Sequence, residues 1–136
     1  LIKKQKTDLL ITYDCGQILK KDAISAPSIA SLNVHSSLLP KYRGTAPIYW
    51  ALKDKEKETG VTIHFIDEGI DTGDIILQNK IAINPGMREK MLAKTLAQLG
   101  AESIFAVIQL FKNGNIKRMK QDSAHATYYS NTRRVY

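Results

Sequence analysis

At 136 residues, 43% of them hydrophobic and 24% charged, the chain has the size and make-up of one globular domain or part of one, neither a disordered segment nor a repeat array. It carries no apolar run long enough to span a bilayer and no signal-peptide pattern, and its single cysteine, Cys15, excludes an internal disulfide; the expected compartment is the reducing cytoplasm, with no membrane partner. The formal charge of +7 is distributed in short clusters such as Lys3-Lys4, Lys20-Lys21, Lys117-Arg118 and Arg133-Arg134, the pattern of a solvated surface, with nucleic-acid contact as the alternative reading.

Residues 8–13 form a short apolar run bounded by polar residues and Gly16, which predicts a buried strand of a parallel sheet, at the centre of the complete sheet, followed by a strand-to-helix turn at residues 16–19. Residues 32–35 predict a second short strand. Side chains two apart on a strand share a face, so Asn33 and His35 converge, and Pro40 and Gly44 then end the strand in a loop of the kind that borders ligands in α/β sheets. Residues 46–55 read as a helix capped by Thr45 with Pro47 in its first turn; Ile48, Ala51 and Leu52 should face the sheet, and Trp50 should pack in the core.

After Gly60, residues 61–66 alternate as a strand that puts His64 on the face of Thr62, either as a hydrogen-bonded structural histidine or as a member of the site. Residues 67–71 make a loop with one glycine and three acids. Residues 74–83 predict one or two strands antiparallel to their neighbours, and residues 87–112 a long helix whose stripe of Met91, Leu92, Thr95, Leu96, Leu99, Ser103, Val107, Leu110 and Phe111 packs on the sheet, ended by Asn113-Gly114. The fold class this implies is α/β, a Rossmann-like, mostly parallel but mixed sheet with flanking helices.

The ordered set of Asn33-x-His35, Ser37-Leu38-Leu39-Pro40, Arg43-Gly44 and Gly69-Ile70-Asp71-Thr72-Gly73-Asp74 resembles the signature of the folate-dependent formyltransferases over nearly the whole chain. That family's domain begins with about half a sheet of βαβ units ahead of the first strand seen here, so the resemblance implies that residues 1–136 are the carboxyl-side part of one catalytic domain. It implies 10-formyltetrahydrofolate as cosubstrate, no metal, and Asn33, His35 and Asp71 as catalytic residues. It also implies folate contacts from the turn of Gln17, Ile18 and Leu19, from Ser37, Leu38, Leu39 and Pro40, and from Asp67, Glu68 and Ile70. Residues 37–40 together with 42–47 look most like the methionyl-tRNA formyltransferases, and the sugar N-formyltransferases are the alternative, followed by phosphoribosylglycinamide formyltransferase. Gln121, Thr127, Tyr128 and Tyr129 resemble the family's closing segment.

Formyl transfer to an amine needs a donor for a developing oxyanion and a group to take the amine proton. Asn33 supplies amide donors. His35, raised in pKa by a nearby carboxylate, would be a cationic second donor, and Asp71 would be that carboxylate and the acceptor of the amine proton, directly or through water. A Ser-His-Asp hydrolase built on Ser36 or Ser37 lacks a Gly-x-Ser-x-Gly elbow, and a metal site from His35, His64, Asp71 and Asp74 lacks ligand spacing. Hydrolysis of formyltetrahydrofolate would use the same three residues, and a folate-binding regulatory remnant is the non-enzymatic alternative.

Overall fold

The structure, a computed structural model, describes residues 5–130. The basic pairs Lys3-Lys4 and Arg133-Arg134 lie outside the described residues. In chain order the elements are β1 (Leu9–Tyr13), α1 (Lys21–Ile24), β2 (Ala30–His35), β3 (Arg43–Gly44), α2 (Pro47–Lys53), β4 (Glu58–Phe65), β5 (Ile75–Ala82), α3 (Glu89–Lys112), a 3-10 turn (Ser123–His125) and β6 (Tyr128–Tyr129).

Four strands form one sheet in the order β1-β2-β4-β5, with β1 parallel to β2 and the other two ladders antiparallel. The sheet is therefore mixed, and its parallel pairing is confined to β1 and β2 among the described residues. β3 and β6 make a separate short parallel ribbon.

Alternation along β2 and β4 divides the sheet into two chemically different faces. Leu32 and Val34 pair across the ladder with Phe65 and Ile63, while Asn33 and His35 pair with His64 and Thr62. The apolar face is covered by α3. Leu32, Val34, Val61, Ile63 and Ile76 of the sheet and Leu92, Leu96 and Val107 of the helix are one buried cluster, and each such side chain contributes about 1.5–3 kcal/mol relative to exposure. Gly100 lets the helix sit this close, because a Cβ there would lie 3.0 Å from Cγ1 of Val34.

Several boundaries differ from the sequence reading. Among the described residues β1 is an edge strand and not a buried one, with its Ile11 and Tyr13 38% and 44% exposed. Thr45 does not cap α2: the cap residue is Ala46, in the left-handed region at φ 54°, with no side-chain cap hydrogen bond, and Pro47 follows in the first turn, where a missing N–H costs nothing. Trp50 is half-buried and stacks on Tyr129 at 4.5 Å instead of entering the core cluster.

α3 begins at Glu89, and Met91 and Thr95 of the expected stripe are exposed while Gly100 is buried. By length and composition alone this helix is long and apolar enough to cross a membrane, contrary to the sequence reading; its Leu92, Leu96 and Val107 pack on the sheet, while Met91 and Phe105 are 60% and 64% exposed. β5 is a single strand antiparallel to β4.

Candidate active site

The polar face of β2 and β4 carries the candidate site. Asp71 reaches it from the loop between β4 and β5, in a left-handed conformation at φ 54° that is unfavourable for a residue with a Cβ. Local contacts hold that loop: Oδ1 of Asp67 accepts from the Gly69 N–H at 3.0 Å and from the Thr72 hydroxyl at 2.6 Å. Gly73 passes so close to the Phe65 carbonyl that a Cβ there would collide with it.

Three side chains meet one carboxylate oxygen. Oδ1 of Asp71 lies 3.4 Å from Nδ2 of Asn33, 3.6 Å from Nδ1 of His35 and 3.6 Å from Nε2 of His64. The other oxygen, Oδ2, accepts the Gly44 N–H at 2.8 Å. The three residues expected to be catalytic are thus brought together, with His64 as a fourth member.

Hydrogen bonds to carbonyls assign the ring tautomers, because a carbonyl can only accept. His35 donates from Nε2 to the Tyr42 carbonyl at 2.8 Å, so its Nδ1 is the nitrogen facing Asp71. His64 donates from Nδ1 to the Phe65 carbonyl at 2.8 Å, leaving Nε2 3.2 Å from Nδ2 of Asn33. Asn33 is itself oriented by Thr12, whose hydroxyl donates to Oδ1 at 2.8 Å. Both Asn33 N–H groups therefore point at His64 and Asp71 rather than into open space.

The electrostatics correct one expectation. The pKa of His35 is lowered, not raised: burial disfavours its charged form more than Asp71 and the Tyr42 carbonyl favour it, with His64 also lowering it. His35 is a neutral imidazole near pH 7. Burial alone would raise the pKa of Asp71, but the neighbouring His64 and His35 rings and the Gly44 N–H together hold it below the usual carboxylate value.

A cavity of about 580 Å³ opens over these residues, in the range of small-molecule sites. Asn33, His35 and Asp71 line it together with Gln17, Ile18, Leu19, Asp67 and Ile70. Ser37, Leu38, Leu39 and Pro40 do not. They form a loop behind the site, in which Ser37 and Leu39 are buried, the Ser37 hydroxyl donates to the Lys41 carbonyl at 2.7 Å and the Leu39 N–H donates to Thr62 at 3.1 Å. That commitment of Ser37 also removes it as a nucleophile. Glu68 lies off the cavity wall, exposed and 3.7 Å from Nζ of Lys21. Among the described residues, no group of three or more His, Cys, Asp or Glu is arranged to hold a metal ion.

Sequence reasoning missed Thr12 and the Gly44 amide, and left Gln121 without a role. Thr12 becomes visible only from the parallel register that sets it beside Asn33. Gln121 donates from Nε2 to the carbonyls of Asp71 and Gly73, each at 2.8 Å.

The profile of the formyl transferase family matches residues 1–108. The chain belongs to the formyl transferase family. A curated relative, the methionyl-tRNA formyltransferase of Methylacidiphilum infernorum, is 46% identical over 90% of the chain. Two solved structures are similar at the level of fold and sequence. One is WlaRD, a sugar 3N-formyltransferase crystallised in the presence of dTDP and 5-N-formyl-THF, with a TM-score of 0.81 and 28% identity over 96% of the chain. The other is the formyltransferase PseJ from Anoxybacillus kamchatkensis, in complex with a UDP-formamido sugar and tetrahydrofolate, with a TM-score of 0.80 and 29% identity over 91% of the chain. The chain spans 38% of the length of the first relative and 48% and 65% of the two solved chains.

Proposed function

We propose that the protein containing this chain transfers the formyl group of 10-formyltetrahydrofolate to a primary amine, and that the amine is that of methionyl-tRNA. The observation that carries the transfer is the convergence of Asn33, His35 and Asp71 on one cavity wall. The acceptor rests on the 46% identity to a methionyl-tRNA formyltransferase. Gln17, Ile18, Leu19, Asp67 and Ile70 would hold the folate, and Ser37, Leu38, Leu39 and Pro40 support the site from behind. An exposed, unpaired Cys15 suits the cytoplasm.

The neutral state of His35 changes the division of labour. As the amine nitrogen bonds to the formyl carbon, the formyl oxygen becomes an oxyanion, and an Asn33 N–H turns to it from Oδ1 of Asp71, which it meets at only 3.4 Å. The amine proton passes to Nδ1 of His35. The resulting imidazolium stays bonded through Nε2–H to Tyr42 and is stabilised by ionised Asp71. Collapse of the tetrahedral centre breaks the bond to N10 of tetrahydrofolate, and that nitrogen takes the proton from His35. Asp71, with its depressed pKa, is a weak base and serves as counter-ion.

A second reading, an amino-sugar nucleotide as acceptor, is favoured by the likeness to the PseJ and WlaRD structures. One assay separates the two. The full-length protein is given 10-formyltetrahydrofolate with charged initiator methionyl-tRNA or with amino-sugar nucleotides, and His35→Ala serves as the control. Transfer to methionyl-tRNA that disappears in the variant supports the first reading. Transfer only to the sugar supports the second, and transfer to neither defeats both.

A further inference from the structure

The Asp71 carboxylate is held in place by more than its own loop. Oε1 of Gln121 accepts twice from Arg43, from Nη2 at 2.8 Å and from Nε at 3.2 Å. The same amide donates through Nε2 to the carbonyls of Asp71 and Gly73, each at 2.8 Å. Arg43 is followed directly by Gly44, whose N–H donates to Oδ2 of Asp71 at 2.8 Å. These bonds close a ring that runs from the Asp71 carbonyl through Gln121 and Arg43 to Gly44 and back to the Asp71 carboxylate.

We propose that Gln121 is a positioning residue for the reaction: its amide locks the Asp71 turn to the Arg43-Gly44 ribbon and so sets where the Asp71 carboxylate stands against His35 and Asn33. Three features support this. The left-handed φ of Asp71 is tolerated by Asp yet still costs a residue with a Cβ, so a tie from outside the loop favours it, and two carbonyls of that turn, two residues apart, are both satisfied by one side chain. A primary amide is also the one side chain suited to the position, since it offers two donors to the carbonyls and an acceptor to the guanidinium. Finally, the Gly44 amide is held from the opposite side as well. Its chain partner in the ribbon is Tyr129, and a Cβ at Gly44 would collide with the Tyr129 carbonyl. The Asp71 side chain is thereby fixed to a rigid donor rather than to a mobile loop.

The proposal rests on the reading of Asp71 as a working group in formyl transfer, and its test separates the two. In the full-length protein, Gln121→Glu keeps the size of the side chain and an acceptor for Arg43, but replaces the donor that faces Asp71 and Gly73 with an oxygen. Gln121→Met removes every one of these bonds without adding charge. Both variants should lower kcat about 10- to 100-fold, the scale of a misplacement of roughly 1 Å at a reacting centre. KM for 10-formyltetrahydrofolate should stay within about twofold of its starting value. Hydrogen exchange at the Gly44 amide should speed up at least about tenfold, because its acceptor moves.

A Gln121→Glu protein with unchanged kcat would overturn the proposal, since pairing with Arg43 alone would then suffice. A loss confined to KM, or equal to the loss of folded protein, would overturn it too. If the unaltered protein transfers no formyl group, the functional reading fails by itself. Gly44 exchange then still decides whether Gln121 fixes Asp71: acceleration in Gln121→Glu upholds the lock, and an unchanged rate removes it.

Discussion

His35 and Tyr42 are joined by a hydrogen bond, from Nε2 of the ring to the backbone carbonyl at 2.8 Å, and this bond decides which nitrogen of His35 faces Asp71. With Nε2 occupied as a donor, Nδ1 is left facing Asp71 at 3.6 Å with its lone pair free. Burial keeps that lone pair unprotonated near neutrality, and the histidine is poised to receive a proton rather than to supply charge.

Activity should therefore fall on the acid side only. In the proposed mechanism His35 takes the amine proton in its neutral form, and its folded pKa lies below the ordinary 6.5, so kcat/KM should be level at neutral pH and decline about tenfold per unit once pH drops below that folded value. The linkage to stability has the same sign. The unfolded chain takes the proton more readily, so the contribution is fully present above pH 6.5 and lost as pH falls below it. A pH profile with its acid limb centred above 6.5 would contradict the assignment.

Asn33→Ala should lower kcat by about 10²- to 10³-fold, as loss of an oxyanion donor does in other acyl-transfer sites, with little change in KM for the folate. A loss seen only in KM would show that Asn33 binds ground state and transition state alike. Steady-state kinetics on the full-length protein separates these.

Thr12 should matter through Asn33 alone. Thr12→Val removes the hydroxyl that holds Oδ1 of Asn33 at 2.8 Å, leaving the amide free to flip. The expected cost is about tenfold in kcat, comparable to one net hydrogen bond, and Thr12→Ser should restore most of it. If Val and Ser behave alike, the hydroxyl is not what orients Asn33.

The α3 stripe makes a stability prediction independent of catalysis. Leu96→Ala, at a position with no solvent exposure, should destabilise the fold by about 2–5 kcal/mol, whereas Met91→Ala, at a position 60% exposed, should change stability by less than about 0.5 kcal/mol. Denaturant midpoints of the two variants check both values, and a large cost at Met91 would place the helix face wrongly.

Where the sequence was legible, a local period was at work. The two-residue repeat of β2 and β4 separated core from site and brought Asn33 and His35 to one face, and the three-to-four-residue repeat of α3 located Leu92, Leu96 and Val107. What escaped was set by partners distant in the chain. The neutrality of His35 follows from its burial beneath the loop of Tyr42, and the role of Thr12 follows from its register with a strand 21 residues away. Ser37, Leu38, Leu39 and Pro40 carry the family motif yet turn inward, because Thr62 and Gln78 bind their backbone through Leu39. No feature of their own sequence separates a wall from its backing.

The bond from Gln121 to the Asp71 carbonyl spans 50 residues, and that from Tyr42 to Thr127 spans 85. During synthesis every member of the Asn33, His35 and Asp71 trio leaves the ribosome, with α3 still to come, before the segment that fastens them exists. The sheet can form early from its neighbouring strands, but a nascent chain stopped after Lys112 has the three groups without their brace. The order of translation thus makes the Gln121 brace one of the last parts of this region to be synthesised.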